Sequence, residues 1–592
     1  MTGVARPAAD PVTRQIVKGA LRSAQAEMET LLARTAMSPF IREKKDYFCA
    51  LYDADARLVA GTPVPVFGAM IEPVLANYPA ADMRPGDLYW YNDCYGSAGA
   101  VSHSPDQVFV APVFAGGELV GYAQSWAHFN DIGGLHAGSL TPLAREIFHE
   151  GVIVPPVRLA RDGVVNDELM RVFVRNSRFP AMVRGDVRAC IAAVRLGERR
   201  LTELHDRFGG GVARACFDAL IEETRAAVVD RLRRALPVGR YSFTDMVDRD
   251  GQGNGPFAIR FVLDVGPDRI ALDARGADDQ APGPVNFLMS PEVPRMALGI
   301  WALSDDPGAL LNAGALAALD EVALRPGSIL APRFPAPLGL RGITLIRVIT
   351  ASIGLLNVAT GGGAVASSNV YVIAYLRGRD ASGAPFLLTD GIAVGYGARP
   401  FADGIDAVYL VANENYPAEF LDAGFPVRLV RYALNTDSGG PGRWRGGCGV
   451  VREIEVLASE ATFSIRIDSV VNPPWGVAGG MSGRGGRCII NPGRPDAREV
   501  APVSDGHRLR RGDVVRIETG GGGGHGHPFD REPERVREDV LGGFVSRESA
   551  RADYGVGILD DGALDRALTA RLRADRPVAG LFHSGGYRDA MT

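Results

Sequence analysis

Residues 106–128 read DQVFVAPVFAGGELVGYAQSWAH. Two runs rich in β-branched and aromatic residues flank Ala115-Gly116-Gly117, which is the pattern of an antiparallel hairpin. With those three residues as the loop, Phe114 faces Glu118 and Asp106 faces Trp126. Asp106 then lies diagonal to His128 on one sheet face, about 7 Å away. His103 stands just before the first strand, near the same end. One end of the hairpin therefore gathers His103, Asp106 and His128, with Asp131 three residues further on. A two-residue turn would shift the register by one and send Asp106 and His128 to opposite faces.

Working outward, residues 11–36 (PVTRQIVKGALRSAQAEMETLLARTA) predict a helix, with Ile16, Ala20, Ala24, Met28 and Leu31 at near-helical spacing and Pro39 just past the end. The stretch 47–61 (YFCALYDADARLVAG) predicts a second hairpin about Asp53–Ala56. Residues 182–208 and 212–236 predict two helices joined across Gly209–Gly211, a helical hairpin. Beyond 237 strand signals dominate. From 360 to 530 the chain is very Gly-rich, with GGG at 361–363, DSGGPGRWRGGCG at 437–449, GGMSGRGG at 479–486 and GGGGG at 520–524. These runs predict many short strands with sharp turns. Charged helical segments follow at about 530–553. The expected class is α+β: an N-terminal metal-binding α/β region (1–160), a central helical hairpin (161–236), a mixed region (237–435), and a Gly-rich, strand-dominated end with C-terminal helices (436–592).

The 592 residues carry 64 Lys+Arg against 69 Asp+Glu, a net charge of −5. That balance argues against a dedicated nucleic-acid binder, which needs a basic excess to displace counterions. The hydrophobic share of 46% and charged share of 22% are those of a globular chain and exclude bulk disorder. No run of 18 uncharged apolar residues occurs, and MTGVARPAADPVTRQ has no apolar core of a signal peptide. The six cysteines form no CxxC pair and no disulfide framework. A cytoplasmic protein that neither spans a membrane nor binds nucleic acid is expected.

Four of the nine histidines fall within 103–149 (His103, His128, His136, His149). Neutral imidazole is the commonest metal ligand, and a mixed His/Asp set suits Zn, Mn or Fe(II). The residues by themselves leave two readings: a divalent-metal site, or polar residues in surface loops. GGGGGHGHP (520–528) lacks the lysine of a phosphate-binding loop, so a tight turn is the plainer reading. Ser438 has no nucleophile-elbow context. Cys94 reads better as a small buried residue than as a nucleophile, and Trp444 better as a plug over a Gly-rich turn than as a stacking platform.

Several motifs in order resemble the hydantoinase B family: SPFIREKKDYFCALYDADARLVAG (38–61), GDLYWYNDCYG (86–96), SHSPD (102–106), PVFAGGELVGYAQSWAHFNDIGG (112–134), EIFHEGVIVPPVRL (146–159), NSRFP (176–180), GPVNF (283–287), DSGGPGRWRGGCG (437–449) and the ending from GGGGGHGHP onward. That family includes B subunits of ATP-dependent hydantoinases, the C-terminal half of 5-oxoprolinase, and large subunits of acetone and acetophenone carboxylases. The resemblance implies a hetero-oligomer with a hydantoinase A-type subunit, which binds ATP with Mg in an actin-like fold. It implies that the partner phosphorylates a cyclic amide, which is then opened by water, or a ketone enolate, which is then carboxylated. It further implies one divalent metal held by Asp46, His103, Asp106 and His128, with Asp131 as an orienting residue or general base. Two departures stand out. Ser102 replaces a threonine common in relatives, and His525 and His527 fall in a Gly-His-Gly-His-Pro run where relatives often have Gly-Tyr-Gly-Asp-Pro. Those two histidines are expected at a subunit interface or a substrate channel.

Overall fold

The computed structural model describes residues 10–62, 68–306, 308–410 and 413–584. The first nine residues of the N-terminal stretch read above lie outside that range. The chain folds into two compact units. One comprises residues 1–236, 265–272 and 286–341; the other comprises 237–264, 273–285 and 342–592. The α+β class holds, with the helical hairpin in the first unit and the Gly-rich strands in the second.

The first unit is built on a seven-stranded, wholly antiparallel sheet of order β2-β1-β5-β4-β3-β6-β7. Its strands are β1 (Tyr47–Asp53), β2 (Leu58–Gly61), β3 (Leu88–Tyr91), β4 (Asp106–Ala115), β5 (Glu118–His128), β6 (Val157–Arg161) and β7 (Val164–Val165). The central strands are buried on both faces, so they read as near-continuous apolar runs. Phe109, Ala111, Val113, Ala123 and Ala127 point to one core, shared with helices α1 (Pro11–Thr35) and, after α2 (Pro39–Arg42), α3 (Glu72–Asn77) and α4 (Asp167–Arg175), with α5 (Pro180–Phe208). Residues of opposite parity, Phe48, Ala50, Tyr52, Val108, Val110, Tyr122 and Trp126, point to a second core with Met296, Ala315 and Leu338.

Helix α1 begins at Asp10, whose carboxylate caps Val12 N and Thr13 N at 3.0 Å. Its buried stripe is Val17, Leu21, Ala24, Met28 and Leu32, whereas Ile16 is 43% exposed. The expected stripe is thus displaced by one residue at both ends, because a 3.6 period drifts off a strict four-residue step. The turn between α5 and α6 (Gly210–Ala235) is Gly209 alone, at φ 78°; Gly210 and Gly211 already belong to the helix.

The main hairpin departs from its expected register. Ala115 pairs with Glu118, so the loop is only Gly116-Gly117, both at positive φ (58° and 87°). That geometry matches the strand twist and wants glycine. A bulge between Val113 and Phe114 then shifts the pairing by one further residue, and Asp106 ends directly opposite His128. The short turn would have separated the two side chains; the bulge returns them to one face.

In the second unit, two antiparallel sheets share one core. One has the order Pro385–Ile392, Val372–Arg379, Glu460–Arg466, Val503–Arg510. The other runs Val427–Leu434, Val450–Val456, Val514–Glu518, Arg487–Ile490, Arg498–Val500. Helix α8, reached after α7 (Glu292–Leu303), spans Arg341–Thr360. It is long and apolar enough to cross a membrane, yet 78% of its most apolar window is buried within the protein. It carries Arg347, fully buried and bonded to Asp468 Oδ2 (2.8 Å) and Asp245 Oδ1 (3.1 Å), as suits a core helix.

Glycines 520–524 do not form the expected turn. All five bond outward as extended backbone: Gly395 N to Gly520 O (3.0 Å), Gly521 N to Arg484 O (3.2 Å), Gly440 N to Gly522 O (2.8 Å), Gly523 N to Ser367 O (2.8 Å) and Gly524 N to Met481 O (2.9 Å). A Cβ on Gly522 would stand 2.2 Å from Tyr396 C, and one on Gly446 2.0 Å from Gly522 O. The Gly-rich motifs are segments of main chain that cross too closely for any side chain to intervene.

Candidate metal centre

Sheet parity fixes the site. Asp106 and His128 are direct cross-strand partners on β4 and β5. Across β1, Tyr47 pairs with Ala127, and His128 N donates to Asp46 O at 3.1 Å, so Asp46 stands at the next position of the same row. Asp46, His128 and Asp106 thus lie side by side across three strands, with the parity of the second core. His103 enters from the turn before β4.

His103, Asp106 and His128 are buried, and one ligating atom from each falls within 4.8 Å of the others. His103 Nε2 is 2.9 Å and His128 Nδ1 3.1 Å from Asp106 Oδ1, and the two nitrogens are 3.2 Å apart. Donors about 2.1 Å from a common ion sit roughly 3.0–3.4 Å from one another. Two ring nitrogens so close cannot both aim protons at one oxygen without repulsion, whereas a shared cation satisfies all three lone pairs. Two imidazoles and a carboxylate would supply three ligands to such an ion. The residues fit a divalent metal.

The surroundings hold His103 and Asp106 in the right protonation state. Burial and the Arg341 guanidinium push His103 down to about 4, so its ring is neutral at physiological pH. Asp106 is held well below the usual carboxylate range: burial opposes this, but its contacts with the His103 and His128 rings and with the Arg341 guanidinium outweigh it. His103 Nδ1 lies 3.5 Å from Gly339 O, a long contact that favours the proton on Nδ1 and leaves Nε2 free. Asp106 Oδ2 takes Arg341 Nη2 at 3.2 Å, while Arg341 Nε donates to Ser102 Oγ at 2.6 Å. Glu150 Oε1 accepts Leu338 N (2.9 Å) and Gly339 N (2.6 Å), fixing the segment that supplies those contacts. Phe40 packs on the His128 ring at 4.9 Å.

Of the residues singled out in sequence, three converge. Asp46 is adjacent in the sheet, but its carboxylate is outside the group of three. Asp131 is buried and saturated: Gly138 N (3.0 Å) and Arg178 Nη1 (3.0 Å) donate to Oδ1, Ser177 Oγ (3.1 Å) and Arg178 N (2.7 Å) to Oδ2. Four donors suit an anchor for the loop after β5 better than a base. His525 Nε2 meets Gly362 O (2.8 Å); His527 meets Pro577 O (3.0 Å) and caps Phe529 N (3.0 Å). Both serve local backbone within the second unit. Cys94 is buried with its thiol pushed well up by burial, the wrong direction for a nucleophile. Ser438 Oγ is spent on Asn435 O and Gly449 N. Arg341 and Gly339 carried no sequence signal, and Glu150 was visible only as part of EIFHEGVIVPPVRL. Ser102 was visible only as a departure, and the structure shows that the hydroxyl it retains is the one Arg341 uses.

Residues 10–528 match the Hydantoinase B/oxoprolinase family. The chain is 30% identical to caprolactamase subunit beta of Pseudomonas jessenii, over 95% of its own length and 99% of the relative's. A crystal structure of ATP-dependent caprolactamase from the same species superposes with a TM-score of 0.85 at 27% identity, covering 96% of this chain and all of that one. A nucleotide-free acetone carboxylase shares the fold, with a TM-score of 0.83 at 20% identity over 95% of this chain and 82% of that one.

Proposed function

The chain belongs to the Hydantoinase B/oxoprolinase family, and from that premise we propose that it is the metal-bearing B-type subunit of a heteromeric, ATP-dependent amidohydrolase that opens a cyclic amide. The observation that carries this reading is the buried convergence of His103, Asp106 and His128 on one point. The 30% identity to a caprolactamase subunit favours ring opening over ketone carboxylation, since the carboxylase likeness is one of fold. The family resemblance assigns ATP with Mg to an A-type partner. Six buried free thiols suit a reducing, cytoplasmic setting.

His103 Nε2, His128 Nδ1 and one Asp106 oxygen would hold the ion, and we assign Asp46 as a fourth ligand reaching across from β1. Zn, Mn and Fe(II) all accept this set. When bound, such an ion lowers the pKa of a water or stabilises a developing oxyanion. The chain's own residues prepare that site. Burial keeps His103 unprotonated, Arg341 holds Asp106 by its outer oxygen, and Asp131 fixes the loop that leaves β5.

The test is co-purification with the A-type partner, elemental analysis, and assay of ATP-dependent ring opening beside fixation of labelled bicarbonate. His128→Ala should lose the metal and turnover while the partner's ATP hydrolysis persists in part. Full turnover in that variant would overturn the ligand set, and bicarbonate fixation without ring opening would overturn the substrate class.

A further inference from the structure

The first unit holds a cavity of about 730 Å3 that the metal site does not use. Three stretches singled out in the sequence, or the residues adjoining them, meet there: Gly133 and Gly134 of AHFNDIGG, Phe148 and Gly151 of EIFHEGV, and the NSRFP segment with Arg175 before it. No acidic residue lines it.

The wall is fixed. Arg178 of NSRFP bonds Asp131, and its Nη2 donates to Gly134 O at 2.7 Å, tying two stretches together. Side chains are excluded: Gly133 and Gly151 have φ of 96° and 110°, and a Cβ on Gly151 would meet Ile132 Cγ1 at 2.7 Å. What the wall offers instead is main chain. Among the described residues, the N–H groups of Gly133 and Gly151 have no acceptor. Arg178 is neutralised by Asp131, but Arg175, exposed in the last turn of α4, has no hydrogen-bond or ion-pair partner. The N-terminus of α5 begins at Pro180, also in the wall, with no side-chain cap. The cavity therefore presents one uncompensated guanidinium and peptide donors without acceptors, which is complementary to an anion with several oxygens.

We infer that this cavity receives the phosphoryl group of an activated small-molecule substrate, with Arg175 as its cation and the N–H groups of Gly133 and Gly151 as fixed donors. The inference rests on the reading above, in which the partner phosphorylates the substrate. Gly133 is five residues beyond His128, in the loop that follows β5.

The probe is inorganic phosphate, titrated calorimetrically into the full-length chain, with acetate as the carboxylate control. Wild type should bind phosphate at one site. Arg175→Ala should weaken it at least tenfold and Arg175→Lys less, with metal content unchanged in both. Phosphate binding that is absent in wild type, or equal in Arg175→Ala, overturns the proposal. Acetate bound as tightly as phosphate, with the same dependence on Arg175, overturns it too by assigning the cavity to a carboxylate. Metal content reads the ligand set separately, so either idea can fail alone.

Discussion

The histidine row of the first unit and the glycine block of the second are the two places where the sequence is most unusual, and they use opposite means. In the row, strand parity brings side chains from distant positions onto one face, where their chemistry is the point. In the block, side chains are absent so that main chains can touch. At the row a residue is specified by what it donates; at the block, by what it lacks. Substitution should therefore spare the fold and remove function in the first case, and damage the fold outright in the second.

The largest effect is expected at the block. Alanine at Gly522 places a methyl group 2.2 Å from Tyr396 C and 2.3 Å from its carbonyl oxygen, atoms of backbone that cannot rotate away. Overpacking with flexible neighbours costs about 1–3 kcal/mol, and a backbone obstacle should lie at or beyond the top of that range. Gly522→Ala should yield little folded protein or a sharply lowered calorimetric transition. Wild-type unfolding in that variant would break the comparison.

A smaller effect, confined to function, is expected from Arg341→Met. The variant removes the bond to Asp106 Oδ2 and the bond to Ser102 while keeping the length of the side chain. Loss of a group that orients a ligand costs about 10–100-fold in metal affinity. The metal dissociation constant should rise by that factor with the thermal transition of the metal-free chain little changed. If metal binding is unaltered, Asp106 does not need its outer oxygen held.

How much of this was legible follows from the kind of signal involved. Strand parity is local, so Asp106 and His128 could be paired from 23 residues of sequence, and even a wrong turn length left them on one face. It was wrong for a reason: hairpin sequences announce glycines, whereas the bulge between Val113 and Phe114 has no composition of its own. Asp46 came from resemblance, although its place beside His128 follows from the β1–β5 register once that is known. Arg341 and Gly339 reach the site from more than 200 residues away, and no periodic pattern marks such a contact. Glycine misled because it signals two things, a positive φ and a close approach, and at 520–524 the second applied where turns were expected.

The smallest effect sharpens the comparison by titration. Asp186 on α5 accepts Met37 N (2.7 Å) and Ser38 N (2.9 Å) through Oδ1, holding the segment that leads to Asp46. Burial raises it from 3.8 to about 6, against those two hydrogen bonds. Its contribution to stability is therefore complete below pH 3.8, where folded and unfolded chains are both protonated. It is lost as pH rises toward 6, because the unfolded carboxyl ionises first and the folded one must then ionise in a buried site. The loss between pH 4.5 and 6 is about 1.5 kcal/mol. Asp186→Asn keeps an oxygen for the two N–H groups and removes the titration. The stability difference between wild type and variant, followed by denaturant unfolding, should shift against the wild type by that amount across the window, the other titrating groups cancelling in the subtraction. A difference flat with pH would mean that Asp186 is already ionised in the folded chain, its two hydrogen bonds outweighing its burial.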